Sequence, residues 1–260
     1  MKVFLGGARG SFPVSGADKT RYGGNTFALL VEGRAGGQVL IDAGSGVRAL
    51  RHRLRPGGTL FFTHTHLDHV VGLPSLAKVW PRRLILPRGD LATVLARVFS
   101  PPVWPVTLPA AEFAVPQVPV EIDGLRVAWH PVAHPNGCHA YRIDEPATGA
   151  SVVVATDIEW AAMAPGAQDA FAAFARGVDL LVFDAHFLPA EYAAHKGWGH
   201  STWADAVAAA RRSGARKLWA VHHAPGRTDA ALDALAETAT AEFKGIVFPR
   251  GETMTETLHE

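Results

Sequence analysis

Cysteine is almost absent from this chain of 260 residues, which contains Cys138 and no other. A single thiol excludes an internal disulfide framework, and it excludes a zinc site made mainly of cysteines. The N-terminus lacks a basic start followed by an apolar stretch and a small-residue cleavage site, and no apolar run is long enough to cross a bilayer. A cytoplasmic protein with no membrane partner is therefore expected.

A strong charge of either sign is also missing, because 25 Lys and Arg residues against 24 Asp and Glu residues give a formal net charge of +1. Generic nucleic-acid binders obtain their affinity from phosphate neutralisation, so this balance disfavours nucleic acid as a partner. Apolar residues make up 48% of the chain, which is enough for a sizeable core in one α/β domain over 1–260. A homodimer is compatible with the sequence.

Short β-like runs alternate with helical patterns along the chain, as an α/β fold requires. The runs predict strands at 2–5, 26–31, 38–41, 59–63, 84–86, 125–129, 140–143, 151–155, 180–183, 217–221 and 246–248. The periodic segments predict helices at 47–54, 73–80, 91–99, 168–176, 202–212 and 228–243. The proline-rich stretch 101–119 has little helical periodicity, so it is interpreted as an irregular or edge-strand excursion.

The densest group of metal-binding side chains is the motif His-Thr-His-Leu-Asp-His at 64–69, directly after the predicted strand 59–63. His64 and His66 are two positions apart, so in extended geometry both point to one side and can bind one cation. Asp68 and His69 can provide a second site in the following turn. Nitrogen ligands with a few carboxylates suit zinc, although such sites also accept manganese or iron. Two ions held close together can activate water and stabilise a leaving group.

Four candidate ligands share one location, because each lies at or just beyond the end of a predicted strand: His64, His134, Asp157 and His222. Open α/β sheets place ligand sites at such ends, where loops converge. A lone histidine after a strand is more often structural than a ligand. Four strand ends that each carry histidine or aspartate favour the metal site.

These motifs, in this order, resemble those of the metallo-β-lactamase superfamily. The resemblance runs from Gly-Gly-Asn-Thr at 23–26 and Leu-Ile-Asp-Ala-Gly at 40–44 to Val-His-His-Ala-Pro at 221–225, nearly the whole chain. It implies an αββα sandwich, in which two packed mixed sheets are flanked by helices and a dinuclear metal site lies at one edge.

Carried over by position, the resemblance also implies the ligands of two zinc ions. The first ion would be held by His64, His66 and His134, and the second by Asp68, His69 and His222, with Asp157 bridging the two. His222 is preferred over His223 because it is the first residue after the strand. Asp42 is expected to orient a ligand histidine.

The later segments 179–186 and 199–202 are most similar to the branch with the tRNA 3′-processing nucleases and small cyclic phosphodiesterases. In that branch a histidine assists the leaving group and an acid orients it, so the resemblance implies these roles for His200 and Asp184, with Asp68 as a further catalytic residue. A protonated imidazole can donate a proton to a departing alkoxide, and a carboxylate raises its basicity and fixes its tautomer. The alternative is that His200 merely adjoins the start of the helix predicted at 202–212.

The resulting hypothesis is a dinuclear metal-dependent phosphodiesterase acting on a small phosphodiester, cyclic ones included. A tRNA nuclease is disfavoured, because the stretch 157–184 is short and no long basic Gly/Pro-rich arm is found. The alternatives are a lactonase or another ester or amide hydrolase of the same fold, and a metal-binding sensor or accessory protein without turnover. Trp198, Trp203 and Phe187 could stack on a base, but aromatic residues in such segments belong more often to the core.

Overall fold

Two seven-stranded sheets form the centre of the protein in a computed structural model that describes residues 1–251 and 254–259. In chain order the strands are β1 (Lys2–Gly7), β2 (Ala28–Glu32), β3 (Gln38–Ile41), β4 (Thr59–Phe61), β5 (Arg83–Ile85), β6 (Glu112–Ala114), β7 (Val120–Ile122), β8 (Leu125–Val132), β9 (Cys138–Glu145), β10 (Ala150–Ala155), β11 (Leu180–Asp184), β12 (Lys217–Val221), β13 (Ile246–Val247) and β14 (Met254–Thr257).

Both sheets are mixed. The first has the order β14-β1-β2-β3-β4-β5-β6, and its strands β3 to β6 are parallel. The second has the order β13-β12-β11-β10-β9-β8-β7, and its strands β10 to β13 are parallel. Because β9 is antiparallel to both β8 and β10, β8 runs in the same direction as the parallel strands.

Side chains alternate between two apolar layers along each central strand, as the period of a strand dictates. In β10, Val152 and Val154 point into the core between the sheets, whereas Val153 points into the core beneath the helices of the second sheet. In β2, Leu29 lies between the sheets and Leu30 lies beneath the helices of the first sheet. Each fully buried side chain of this kind contributes roughly 1.5–3 kcal/mol.

Seven α-helices complete the outer layers of the described part of the chain. They are α1 (Val47–Leu50), α2 (Leu67–Val70), α3 (Leu91–Val98), α4 (Pro165–Phe174), α5 (Pro189–His195), α6 (Trp203–Ser213) and α7 (Asp229–Glu242). Short 3₁₀ segments lie at Ala17–Lys19, Leu73–Val79 and Trp160–Ala162. Helices α1 and α3 cover the first sheet, and α4, α6 and α7 cover the second. The αββα sandwich expected from the sequence is therefore confirmed.

Several predicted elements differ from the structure in kind or length. The predicted helix 73–80 is a 3₁₀ segment, with Pro74 near its start, and the predicted helix 47–54 shortens to α1. The proline-rich stretch 101–119 contains β6, which forms the edge of the first sheet, in keeping with the edge-strand interpretation. None of the helices in the described residues is long and apolar enough to cross a membrane.

Candidate metal centre

Strand direction explains why distant residues meet at one edge of the sandwich. Strands β8, β10, β11 and β12 run the same way, so their carboxyl ends lie side by side. His134, Asp157 and His222 follow three of these ends, and Asp184 is the last residue of β11. From the other sheet, the chain leaving β4 supplies the segment 64–69, which continues into α2.

Three histidines form the first cluster at this edge. The ring centres of His64, His66 and His134 lie 4.4, 4.7 and 4.9 Å apart in pairs, and His134 Nε2 is 3.1 Å from His66 Nδ1. His134 Nδ1 donates to the carbonyl of Gly199 at 2.9 Å, which leaves Nε2 with its lone pair toward the cluster. One ligand atom from each residue lies within 4.8 Å of the others, as a shared cation requires.

A second cluster contains Asp68, His69 and His222. Asp68 Oδ2 lies 3.4 Å from His69 Nε2 and 3.2 Å from His222 Nε2, and the ligand atoms of all three residues are again within 4.8 Å of one another. His223, the alternative ligand, is fully buried away from this cluster and stacks on Phe248 at 5.5 Å. The structure therefore brings His222 to the site and not His223.

Asp157 lies between the two clusters with one carboxylate oxygen toward each. Its Oδ1 is 3.9 Å from both His64 Nε2 and His134 Nε2, and its Oδ2 is 3.1 Å from His69 Nε2 and 3.3 Å from His222 Nε2. This is the arrangement that a carboxylate bridging two cations needs.

A separate observation, the lack of hydrogen-bond partners for two buried ring nitrogens, also indicates that these side chains bind metal ions. The Nε2 atoms of His64 and His69 are buried and have no hydrogen-bond partner, although unpartnered buried polar atoms are rare and costly. The two atoms face carboxylates, and imidazole nitrogen with carboxylate oxygen is a set that zinc, manganese and iron accept. Two cations would satisfy these nitrogens and balance the buried carboxylates.

The buried histidines and carboxylates of the two clusters shift one another's pKa values. Burial lowers the pKa of His64 well below its ordinary value, and the neighbouring His69 adds to this effect. Burial would also lower the pKa of His69, but the charges of Asp157, Asp68 and Asp42 raise it well above the ordinary value. Burial would raise the pKa of Asp157, yet the surrounding histidines hold it well below its usual range. The carboxylate at the centre is therefore kept ionised, as a metal ligand must be.

Three residues at the site have a left-handed backbone that non-glycine residues seldom adopt. The φ angles are 57° at Asp42, 58° at Asp157 and 62° at His222, and all three lie just after a strand. Such strain persists only where the surrounding structure enforces it, and it concentrates at functional sites. Here it turns each chain sharply from its strand so that the side chain faces the centre.

Beside the two clusters lies the pair predicted to handle the leaving group. His200 Nδ1 is 2.9 Å from Asp184 Oδ2, and Asp184 also accepts the backbone N–H groups of Asp157, His186 and Ser201. Burial alone would lower the pKa of His200, but the charge and hydrogen bond of Asp184 raise it to about 9. The raised pKa favours the protonated imidazole, the form that can donate a proton.

A loop after β1 closes the centre from one side, and the sequence analysis missed it. The N–H of Ser11 donates to Asp68 Oδ2 at 2.8 Å, and a Cβ at Gly10 would lie 2.5 Å from His222 Cε1. The available signal was the segment Gly-Gly-Ala-Arg-Gly-Ser at 6–11, which is small except for Arg9, since a chain that passes against ligand rings has little room for side chains there.

The predicted accessory residues also have defined places. Asp42 Oδ2 accepts from His69 Nδ1 at 2.8 Å, which is the orienting contact expected for it. His186 is buried and stacks on His200 at 4.5 Å. Of the three aromatic residues singled out in the sequence, Phe187 is buried, Trp203 is half-buried and Trp198 is exposed.

Comparison with known proteins agrees with this geometry. A family model described as the beta-lactamase superfamily domain matches residues 38–223. Ribonuclease BN from Erwinia tasmaniensis is 28% identical over 250 residues, covering 76% of this chain and 82% of that protein. Ribonuclease Z from Salinispora arenicola is 30% identical over 244 residues, covering 74% and 76%. The metallo-beta-lactamase fold protein YhfI from Bacillus subtilis superposes with a TM-score of 0.72 at 19% identity, over 98% of each chain.

One expectation is wrong. Nucleic acid was disfavoured as a partner, yet both of these relatives are ribonucleases. The formal charge of +1 is a sum over the whole chain, and it says nothing about the few groups that line one edge of the sandwich. A long basic arm is likewise only one way of holding RNA, and its absence from the sequence does not bear on the chemistry of the phosphodiester itself.

Proposed function

This chain belongs to the beta-lactamase superfamily, and we propose that within it the protein is a metal-dependent phosphodiesterase with a dinuclear site. The observation that carries the proposal is the position of the His200–Asp184 pair beside the carboxylate of Asp157, with His200 Nδ1 3.8 Å from Asp157 Oδ1. A proton donor next to a two-cation site suits hydrolysis with a poor alkoxide leaving group. The two relatives are named as ribonucleases, which supports hydrolysis of a phosphodiester bond. RNA is therefore included among the substrates to be tested.

The residues that would hold the ions are those of the two clusters. His64, His66 and His134 would bind one cation; Asp68, His69 and His222 would bind the other; Asp157 would bridge them. Zinc is the metal that this donor set favours, with manganese or iron as alternatives. When bound, two such ions lower the pKa of a water molecule and neutralise the charge that builds on the phosphate oxygens.

The chain's own groups supply the proton transfer. Asp184 accepts the Nδ1–H of His200 and is fixed by three backbone N–H groups, so the imidazole has one orientation. Its Nε2–H is then the proton that can pass to the leaving oxygen. The charge and hydrogen bond of Asp184 raise the pKa of His200, which favours this protonated form. The edge is formed by buried side chains, which excludes bulk water from most of the cluster.

Elemental analysis followed by a substrate panel tests the proposal. The purified protein is stripped with a chelator, reloaded separately with zinc, manganese or iron, and its metal content is measured. The same samples are then assayed on bis(p-nitrophenyl) phosphate, a cyclic nucleotide, a short RNA, a lactone and a β-lactam. We expect two ions per chain and turnover of phosphodiesters alone. Turnover confined to the lactone or β-lactam would contradict the proposal, and so would two bound ions without turnover of any substrate.

A further inference from the structure

An exposed tryptophan lies in the turn that packs against the candidate metal centre. Trp198 has 62% of its surface exposed. Single exposed apolar side chains are ordinary, so the significance of this one comes from its position. The next residue, Gly199, accepts the hydrogen bond from His134, and the one after that is His200. The indole therefore lies within two residues of both a predicted ligand contact and the predicted proton donor.

The turn that carries this indole is built to hold it in place. Glu159 is buried, and its two carboxylate oxygens accept the N–H groups of Gly197 at 2.7 Å and Gly199 at 2.9 Å, one on each side of Trp198. Tyr192 Oη donates a third hydrogen bond to the same carboxylate at 2.8 Å. The buried carboxylate of Glu159 thus fixes the backbone on both sides of Trp198.

Backbone geometry restricts the turn further. Gly197 and Gly199 have φ angles of 88° and 87°, which residues with a Cβ rarely adopt. A Cβ at position 199 would lie 2.2 Å from His134 Nδ1, so the turn is pressed against the metal centre. The ring of His195 stands nearly perpendicular to the indole, at 86° and 4.9 Å between ring centres. The indole of Trp198 therefore contacts the ring of His195, while most of its surface faces solvent.

We propose that Trp198 is a base-stacking subsite, which takes the nucleobase of a nucleotide whose phosphate lies in the metal centre. This inference rests on the proposed phosphodiesterase function and narrows its substrates to those that carry a planar base. Every nucleobase has a π-face, so an exposed indole binds bases with little regard to sequence. Because the backbone on both sides of Trp198 is already fixed, this turn loses little conformational freedom on binding.

Calorimetric binding of two product-like probes to the metal-loaded protein tests this subsite. Adenosine 5′-monophosphate and ribose 5-phosphate share the phosphate and the sugar, so the ratio of their dissociation constants reports the base alone. We expect wild type to prefer the adenosine compound by about fivefold or more, and Trp198→Ala to bring the ratio close to one. Trp198→Phe retains a planar ring and should restore most of the preference. Phe113→Ala, which removes an exposed aromatic ring on the edge strand β6, is the matched control.

The results separate the stacking subsite at Trp198 from the proposed phosphodiesterase function. A wild-type ratio near one, or a preference that Trp198→Ala leaves intact, overturns the stacking subsite even if the protein hydrolyses phosphodiesters. A preference that depends on Trp198 supports the subsite even if the substrate panel yields no phosphodiester turnover, in which case the proposed activity fails alone. Thermal unfolding of each variant shows whether a lost preference comes from a damaged fold, and Trp198→Phe then provides the comparison.

Discussion

His69 Nδ1 lies 2.8 Å from Asp42 Oδ2, and both side chains are fully buried. Asp42 also accepts the backbone N–H of Thr63 at 2.8 Å and its hydroxyl at 2.7 Å, so this carboxylate fixes the start of the 64–69 segment as well as the ring. With Nδ1–H committed to Asp42, Nε2 is the nitrogen that His69 turns toward the centre, where an ion would replace its proton. The tautomer of a ligand is thus set by a residue that the ion itself would not touch.

Replacing this carboxylate should weaken metal binding without removing a ligand. We expect Asp42→Asn to reduce metal affinity about 10–100-fold, because an amide orients the imidazole less well and stabilises the ligand less. Competition with a chelator of known affinity measures the change. Asp169→Asn alters a carboxylate whose side chain is 66% exposed in a surface ion pair and serves as the control. If Asp42→Asn bound metal as tightly as wild type, Asp42 would not be needed to orient His69.

Asp157 should determine how many ions the centre holds. Its two oxygens face different clusters, so Asp157→Ala is expected to leave at most one ion per chain and to abolish turnover. Elemental analysis measures the stoichiometry. Asp184→Asn is the informative comparison, since Asp184 contacts the proton donor and should leave metal content at two ions. A two-ion Asp157→Ala protein would show that the carboxylate does not bridge.

The sequence could point to the candidate ligands because most of them are close together in the chain or follow apolar strands. The segment 64–69 alone supplies four of the candidates, and each remaining one lies just after a recognisable strand. Edge strands were harder. Strand β14 has the sequence Met-Thr-Glu-Thr, with no apolar run to mark it, and β6 and β7 are short and contain no buried residue.

Two residues that support the centre, Glu159 and Ser11, could not be predicted, because their partners are far away in the chain and no motif marks them. Glu159 holds a turn 38 and 40 residues later, and Ser11 binds a carboxylate 57 residues later. No local pattern records such a pairing, since it exists only once both sheets are assembled. The candidate ligands and the orienting residue Asp42 could be identified from the sequence, whereas Glu159 and Ser11 could not.

Gly10 should be intolerant of any side chain. Its Cα faces His222, and a Cβ there would lie 2.5 Å from ring atoms of His222 and 2.9 Å from His186 Nδ1. Gly10→Ala is therefore expected to push His222 from the second cluster and to lower both metal content and turnover, as reported by elemental analysis and an assay on the best phosphodiester. Gly166→Ala, where nothing lies within 4 Å of the added methyl group, should behave as wild type. Equal behaviour of the two variants would mean that the 6–11 loop does not support the centre.

The role of His200 is best tested by changing the leaving group. A proton donor matters most when the departing alkoxide is a strong base, and little when it is stable as an anion. We expect His200→Ala to slow hydrolysis of an alkyl phosphodiester by about 10²–10⁴-fold, and that of bis(p-nitrophenyl) phosphate far less. Metal content should stay at two ions, because His200 belongs to neither proposed ligand set. Its ring only stacks on that of His222, at 4.9 Å between ring centres. Equal losses on the two substrates would show that His200 acts by position or charge and not by protonating the leaving oxygen. Asp184→Asn should reproduce the same dependence in weaker form, since it leaves the imidazole in place but removes the carboxylate that raises its pKa.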